Sequence, residues 1–310
     1  LSEGIAMNID HANRIPMAEI LSRLNLTPKR KATYQAWYLS PLRQEKTASF
    51  LVNTKTNRWH DFGEGIGGDL VDFACAYLKS TREAHTIYDA LRWIKNMGVG
   101  AYQIPRAYEF PDPYAKEDAA LTVKSAKPIQ HLGLIQYLAK RGIPLTIGYR
   151  YLKEIRVRNT RTQKYFTALG FPNEEGGYEL RNPFFKGCLG SKAISFIRGR
   201  EPKPEGIHLF EGFMDYLSAI SQLNGKGFQD DTIILNSLSC LSKAIPYVQN
   251  YGYRIAYSWM DNDKAGGKAT AALSEFCQTE ADLKHTPMNS VYASHKDVNA
   301  WHMHKLNLSL

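Results

Sequence analysis

The sequence is poor in cysteine. Its 310 residues include Cys75, Cys188, Cys240 and Cys277, which lie far apart and form no Cys-x-x-Cys pair. That spacing offers no cysteine-based zinc site, and the expected state is reduced, mostly buried thiols in a cytoplasmic protein. No apolar run approaches the roughly 18 residues that a membrane span requires, so no membrane association is expected. The P-loop signature Gly-x-x-x-x-Gly-Lys-Ser/Thr is absent, which removes a nucleotide-driven motor of that kind. The opening residues Leu1 to Ala6 lack the basic and apolar stretches of a signal peptide. Met7 reads as the initiator, and the residues before it are left out of the fold reading.

What is present is basic and otherwise ordinary. Thirty-nine Lys and Arg against 30 Asp and Glu give a formal net charge of +9, which attracts polyanions, nucleic acid foremost. Hydrophobic residues at 44% and charged residues at 22% fit globular domains, and the length allows two or three of them.

The chain separates by pattern into an N-terminal region (7–100), a linker (101–127), a basic middle region (128–204) and a C-terminal region (205–310). The first opens with a helix over Met17–Leu24 and closes with two more. One apolar face is formed by Leu70, Phe73, Ala74 and Tyr77, the other by Ile87, Leu91 and Ile94. Between them, Ala36–Leu39, Ser49–Asn53 and Arg58–Phe62 have strand character. The linker carries Pro105, Pro111 and Pro113 and shows no periodicity, the mark of a loosely packed connection.

The middle region starts with a helix at Leu132–Lys140. Strands follow at Ile155–Val157, Tyr165–Leu169, Tyr178–Arg181 and Ala193–Ile197. Arg141, Arg156, Arg158, Arg181, Lys186, Lys192 and Arg198 alternate with Tyr149, Tyr165, Phe166, Phe184 and Phe185. Charge for phosphates and rings for bases make a single-strand groove. A solvated basic face over an aromatic core fits the composition equally well.

The C-terminal region alternates strand and helix. The strands are Ile207–Phe210, Thr232–Leu235, Arg254–Trp259 and Ser290–Ala293. The helices are Phe213–Leu223, Leu241–Asn250, Ala265–Cys277 and one from Val298. This is an α/β pattern with a parallel sheet. In such sheets ligands bind beyond the carboxyl ends of the strands. Glu211, Asp261, Asp263 and Asp297 each follow a strand, and Asp215 can lean back from its helix toward the same edge. Clustered carboxylates repel unless a cation compensates, and all-oxygen ligands favour Mg2+ or Mn2+. Helix capping is the competing role for Asp215 and Asp297. His302 and His304 read as a frayed surface.

Leu209-Phe210-Glu211-Gly212-Phe213-Met214-Asp215, Asp261-Asn262-Asp263-Lys264-Ala265-Gly266 and Lys296-Asp297-Val298-Asn299 resemble, in order, the three motifs of the Toprim domain. That domain is shared by bacterial primases, topoisomerases and some nucleases. The resemblance implies a Rossmann-like fold, Glu211 for acid–base work with Asp261 and Asp263 as catalytic partners, and Mg2+ held by Glu211, Asp215, Asp261, Asp263 and Asp297. The runs from Ser40 to Phe50 and from Trp59 to Asp69 resemble the zinc-ribbon domain of bacterial DnaG-type primases. The middle region is similar to the basic subdomain that precedes Toprim in those enzymes. Arg141, Arg181, Lys186, Lys192, Arg198, Lys264 and Lys296 are its candidates for binding nucleic acid or nucleotide.

The ribbon departs from its family at four positions. Where three cysteines and a histidine are implied, this chain has Ser40, Arg43, Asp61 and Glu64. These cannot ligate tetrahedral zinc. Arg43 can instead bridge Asp61 and Glu64, so the expectation is a salt-bridge cluster without zinc. The alternative is that Arg43 points to solvent and the ribbon is held by its hydrophobic contacts, including Trp37, Phe50, Trp59 and Phe62.

The implied function is a primase, joining ribonucleoside triphosphates on single-stranded DNA during replication. A helicase or replication protein would be encoded separately, and a plasmid or other mobile element is the expected setting. A Toprim nuclease or topoisomerase-like enzyme, and a non-catalytic single-strand binding module, remain alternatives.

Overall fold

Residues 8–98, 102, 104–111, 120–249, 251–280 and 282–309 are described by the structure, a computed structural model. Met7 with the residues before it, positions 112–119 of the expected linker, and Asn250 at the expected end of a helix lie outside the described residues. The chain forms two compact units, residues 1–102 with 246–252, and residues 103–245 with 253–310.

In the first unit, α1 (Ile9–Arg14) and α2 (Met17–Arg23) precede five strands: β1 (Arg30–Ala32), β2 (Gln35–Tyr38), β3 (Phe50–Asn53), β4 (Arg58–Asp61) and β5 (Ile66–Gly68). They pair in chain order, all antiparallel. Alternate residues Ala36, Tyr38, Phe50, Val52 and Trp59 point inward, against α3 (Leu70–Ser80) and α4 (Ile87–Gly98). Burying each large side chain contributes about 1.5–3 kcal/mol. A capping box between Asp69 and Asp72 starts α3, and the Trp59 indole donates to the Asp69 carbonyl at 2.8 Å. The strands β1 and β5 had no visible pattern for physical reasons. All three residues of β1 are exposed, so nothing alternates. Strand β5 is mostly glycine, and a Cβ at Gly67 would lie 2.5 Å from the Trp59 carbonyl oxygen.

The second unit contains two sheets. β6 (Leu121–Lys127), α5 (Leu132–Lys140), α6 (Leu145–Tyr151), β7 (Lys153–Asn159), β8 (Tyr165–Pro172), β9 (Tyr178–Asn182) and β10 (Phe185–Leu189) come first. Their strands form an antiparallel sheet in the order β10-β9-β8-β7-β6. The expected linker, 101–127, is described in part. Its last residues are β6, an edge strand in which only Leu121 is buried, and Arg106–Tyr108 forms a turn of 3-10 helix.

The second sheet follows: β11 (Ser195–Ile197), β12 (Gly206–Phe210), α7 (Phe213–Gln222), β13 (Asp231–Ile234), α8 (Leu241–Val248), β14 (Ile255–Trp259), α9 (Lys264–Thr279), β15 (Lys284–Pro287) and α10 (Val298–Lys305). Strand order is β11-β13-β12-β14-β15, parallel except for β11. The strand expected at Ser290–Ala293 is instead a 3-10 turn, Asn289–Tyr292, fixed by the Tyr292 hydroxyl donating to the Met260 carbonyl at 2.8 Å. The fourth parallel strand is β15, whose proline and half-exposed residues hide it from pattern reading. His302 is also not at a frayed surface: it is buried, with Nε2 2.8 Å from the Gly142 carbonyl.

The two sheets share one core, in which Phe210, Tyr216, Leu217, Ile220 and Trp259 meet Leu134, Leu138 and Phe171. Strand β12 lies next to β14, and the connection after β12 runs to β13 on one side while the connection after β14 runs to β15 on the other, so the two diverge. That divergence opens a crevice at the carboxyl ends of the strands. No helix among the described residues is long and apolar enough to cross a membrane.

Candidate active site

The acids sit at that crevice for reasons of register. Phe210 is directly opposite Trp259, so the residues after β12 and β14 emerge side by side. The Asp261 amide donates to Glu211 Oε2 at 3.1 Å. Asp215, in the first turn of α7, is buried and accepts from the Asn299 amide at 3.0 Å. Asn299 also donates to Ser218 Oγ at 2.8 Å and to the Arg141 carbonyl at 3.0 Å, and Arg141 donates back to it at 2.8 Å. One asparagine thereby locks α7, the start of α10 and Arg141 together.

A cavity of about 430 Å³ opens here. Glu211, Asp215, Asp261 and Asp297 line it together with Arg141, Arg181, Lys186, Lys192 and Lys296. Lys296 lies 3.6 Å from Asp261. Asp263 does not line the cavity. It is exposed and caps α9, accepting from the Ala265 and Gly266 amides at 2.9 Å. Asp297 combines both roles, lining the cavity and capping α10 through the Ala300 amide at 2.7 Å.

Two basic candidates lie elsewhere. Arg198 pairs at 2.7 Å with buried Asp231, which begins β13 and so marks the end of the strand away from the crevice. Lys264 is exposed at the start of α9 and is not among the cavity residues. Residues that the sequence reading passed over do line the cavity: Glu179 on β9, and Asn236, Ser237 and Ser239 after β13. The rule that pointed to Glu211 and Asp261, a polar residue just past a parallel strand, also applies to Asn236 and Ser237.

Glu211, Asp215 and Asp261 hold their protons unusually tightly. Burial, then the Asp261 charge, pushes Glu211 up to about 7. Burial, then Asp297, raises Asp261 to about 6, while Lys296 pulls it down. Asp215 is raised well above the usual aspartate value by burial, then by Asp297 and Asp261. Lys296 is raised in turn, chiefly by Asp261. Buried, mutually repelling oxygen donors fit a hard divalent cation, which would relieve both strains. Among the described residues no group of three or more His, Cys, Asp or Glu side chains is placed so as to hold a metal ion.

The first sheet of this unit leads toward the cavity. Cross-strand pairing puts Arg158 opposite Tyr165, Arg156 opposite Thr167, Leu169 opposite Arg181, and Arg181 opposite Lys186. Paired residues share a face. One face therefore runs from exposed Arg156 and Tyr165, whose ring the Arg156 guanidinium covers at 5.4 Å, to Arg181 and Lys186 in the cavity. The opposite face is the apolar core of Ile155, Val157, Ala168, Leu180 and Leu189.

Residues 208–302 match the family model described as Toprim-like. Residues 123–190 match a domain of unknown function, DUF8464. A DNA primase of Chlamydia pneumoniae is 24% identical over 328 aligned positions, covering 88% of this chain and 53% of the relative. The chain thus spans about half the length of that curated relative. Among solved structures, the zinc-binding and RNA polymerase domains of Aquifex aeolicus primase are similar at 15% identity and a TM-score of 0.37, over 90% of this chain and 78% of that one. The primase fragment of the bacteriophage T7 primase-helicase protein is similar at 11% identity and a TM-score of 0.40, over 84% and 92%. The chain thus carries a Toprim-like domain over residues 208–302 and is distantly similar to a DNA primase.

Proposed function

We propose that this protein makes short RNA primers on single-stranded DNA in a divalent-cation-dependent reaction. One observation carries the proposal: carboxylates and basic side chains line a single cavity at the carboxyl ends of β12 and β14. Acid suits a cation, and base suits the phosphates of an incoming nucleotide. Bound Mg2+ or Mn2+ would be held by Glu211, Asp215, Asp261 and Asp297, with Asp263 adding charge nearby, and would neutralise triphosphate charge and favour attack by a 3′-hydroxyl. Glu211, poised at about 7, can accept or hold a proton at its carboxylate. Arg141, Arg181, Lys186, Lys192 and Lys296 would orient the triphosphate. Arg198 and Lys264, outside the cavity, are left to support the fold.

The proposal assigns template contact to the N-terminal region (7–100) and nucleotide contact to the basic region. It starts the latter near residue 120, where β6 begins, rather than at 128. Residues 205–310 carry the cation site. In the first unit the outer sheet face supports the template role, because Trp37 stacks on exposed Phe62 at 5.4 Å and Arg30 covers Trp37 at 4.7 Å. A separately encoded helicase and a cytoplasmic, mobile-element setting complete the reading.

The test is incubation with single-stranded DNA, labelled ribonucleotides and Mg2+ or Mn2+. New short RNA chains are expected, and Asp261→Ala should abolish them while retaining DNA binding. Shortened DNA would indicate a nuclease instead, and binding without either product a passive module.

A further inference from the structure

The first unit holds an ionic cluster that primer synthesis does not use. Asp61, the last residue of β4, is fully buried. Its carboxylate accepts from Ser40 Oγ at 2.6 Å, from Arg43 Nη1 at 2.7 Å, and from the Gly63 and Glu64 amides at 2.9 and 3.1 Å. The other guanidinium nitrogen of Arg43 donates to Glu45 Oε2 and Ser49 Oγ, both at 2.8 Å. Glu45 in turn accepts from the Ser40 amide at 2.6 Å, the Ser49 amide at 3.1 Å and Ser49 Oγ at 2.7 Å. Glu64, expected as a main partner, is half-exposed and only 3.7 Å away. Glu45, absent from that expectation, takes its place.

The geometry assigns the Arg43 guanidinium as the built-in structural cation of this sheet, tying the loop over 40–49 to the turn over 62–65 without any metal. The resemblance implies zinc at this place, and the residues do not fit it. The donors are hydroxyls and carboxylates rather than thiolates and imidazoles. The space is also filled, since a Cβ on Gly63 would lie 1.8 Å from Arg43 Nη2. A zinc ion in such a ribbon neutralises buried negative charge and fixes two loops. The planar guanidinium does both here, with Nη1 on Asp61 and Nη2 on Glu45, a planar fork across two carboxylates rather than a tetrahedron. Being covalently attached, it can be neither chelated nor oxidised away. A buried charge pair is costly unless its remaining hydrogen-bonding capacity is met, and here each carboxylate has several donors.

The test uses the full chain and needs no catalytic activity, so it stands or falls separately from primer synthesis. Metal analysis should find zinc far below one per chain, and EDTA should leave the melting curve unchanged. Arg43→Met should speed amide exchange in the segment 58–68 by at least about 100-fold, because it strands the buried Asp61 charge, while exchange in strand β12 stays as it was. Adding Asp61→Asn to Arg43→Met should recover part of that protection, since no charge is then stranded. Should Arg43→Met not fold, Arg43→Lys serves, and partial loss of protection is expected because charge remains but the fork is gone. Stoichiometric zinc whose removal unfolds the sheet would overturn the assignment. So would unchanged exchange in 58–68 after either Arg43 substitution.

Discussion

At the residue scale, burial separates the acids in a way that sequence spacing does not. The sequence order groups Asp261 with Asp263 as neighbours on one loop. In the fold, Asp263 turns outward to cap α9, and Asp215 faces the cavity from α7. The signals for the two are alike in sequence, since any acid in a βα loop can cap or ligate. Only the packing of Asn299 against Asp215 decides which way the latter faces. Asp215 is also held in a place that disfavours its charge, by burial first and by Asp297 second. A folded-state value above the unfolded one means that ionised Asp215 weakens the fold at neutral pH. Asp215→Asn keeps the acceptor for the Asn299 amide and removes the charge. It should raise the melting temperature by a few degrees and lower primer synthesis by at least about 100-fold, the trade expected of a functional site. Melting curves and single-nucleotide incorporation assays on the same preparation check both signs.

The charges around Arg43 titrate in the opposite sense. Burial pushes Asp61 up, but the Ser40 hydroxyl, the Arg43 guanidinium and the Glu64 and Gly63 amides outweigh it and leave it below the usual aspartate value. Glu45 is likewise lowered: burial raises it, and Ser49, the Ser40 amide and Arg43 more than offset that. Lowered carboxylates stabilise fully above their unfolded values, near 4, and lose that contribution as pH falls through the folded values. Protection of segment 58–68 against amide exchange should therefore drop below about pH 4 relative to β12. In Arg43→Met this extra acid dependence should largely vanish.

At the scale of elements, the first turn of α9 sets how closely the helix approaches the site. A Cβ on Gly266 would lie 2.1 Å from the Asp261 carbonyl oxygen, whereas one on Gly267 meets nothing within 4 Å. Gly266→Ala must push helix and loop apart, moving Asp261. It should lower synthesis at least about tenfold, by the sensitivity of positioned groups to displacements near 1 Å. Gly267→Ala should leave synthesis intact and stabilise the helix by up to about 1 kcal/mol. The two glycines are adjacent and alike in sequence, which shows where legibility ends. Strong periodicity made α3, α5, α7 and α9 readable, and β12 and β14 stood out as buried apolar runs. Elements with a one-sided or half-exposed role did not stand out. Exposed β1, glycine-rich β5 and proline-ended β15 lack the alternation on which pattern reading depends. The short helix α6 buries little beyond Ile147 and Gly148, so it too left no stripe.

At the scale of the whole molecule, a net charge of +9 becomes informative only once some of it is laid out in space. Composition left open whether the middle region was a binding face or a solvated surface over an aromatic core. The structure puts the two sets of residues on opposite sides of one sheet. Phe166 and Phe185 pack together at 4.7 Å beside the core, while Arg156, Arg158 and exposed Tyr165 share the other face with Arg181 and Lys186. If a single strand follows that face, phosphates should contact Arg156, Arg158, Arg181 and Lys186, and each neutralised phosphate releases condensed counterions. The logarithm of affinity should then fall with the logarithm of salt concentration with a slope near −3, at about −0.7 per contact on single strands. Fluorescence anisotropy of a labelled oligonucleotide between low and moderate salt measures that slope. Arg156→Ala should make it shallower by about 0.7, and Arg150→Ala, on α6 and off this face, should leave it unchanged. A slope near zero, or equal effects from both substitutions, would mean that the basic face is solvated surface and that the strand takes another path.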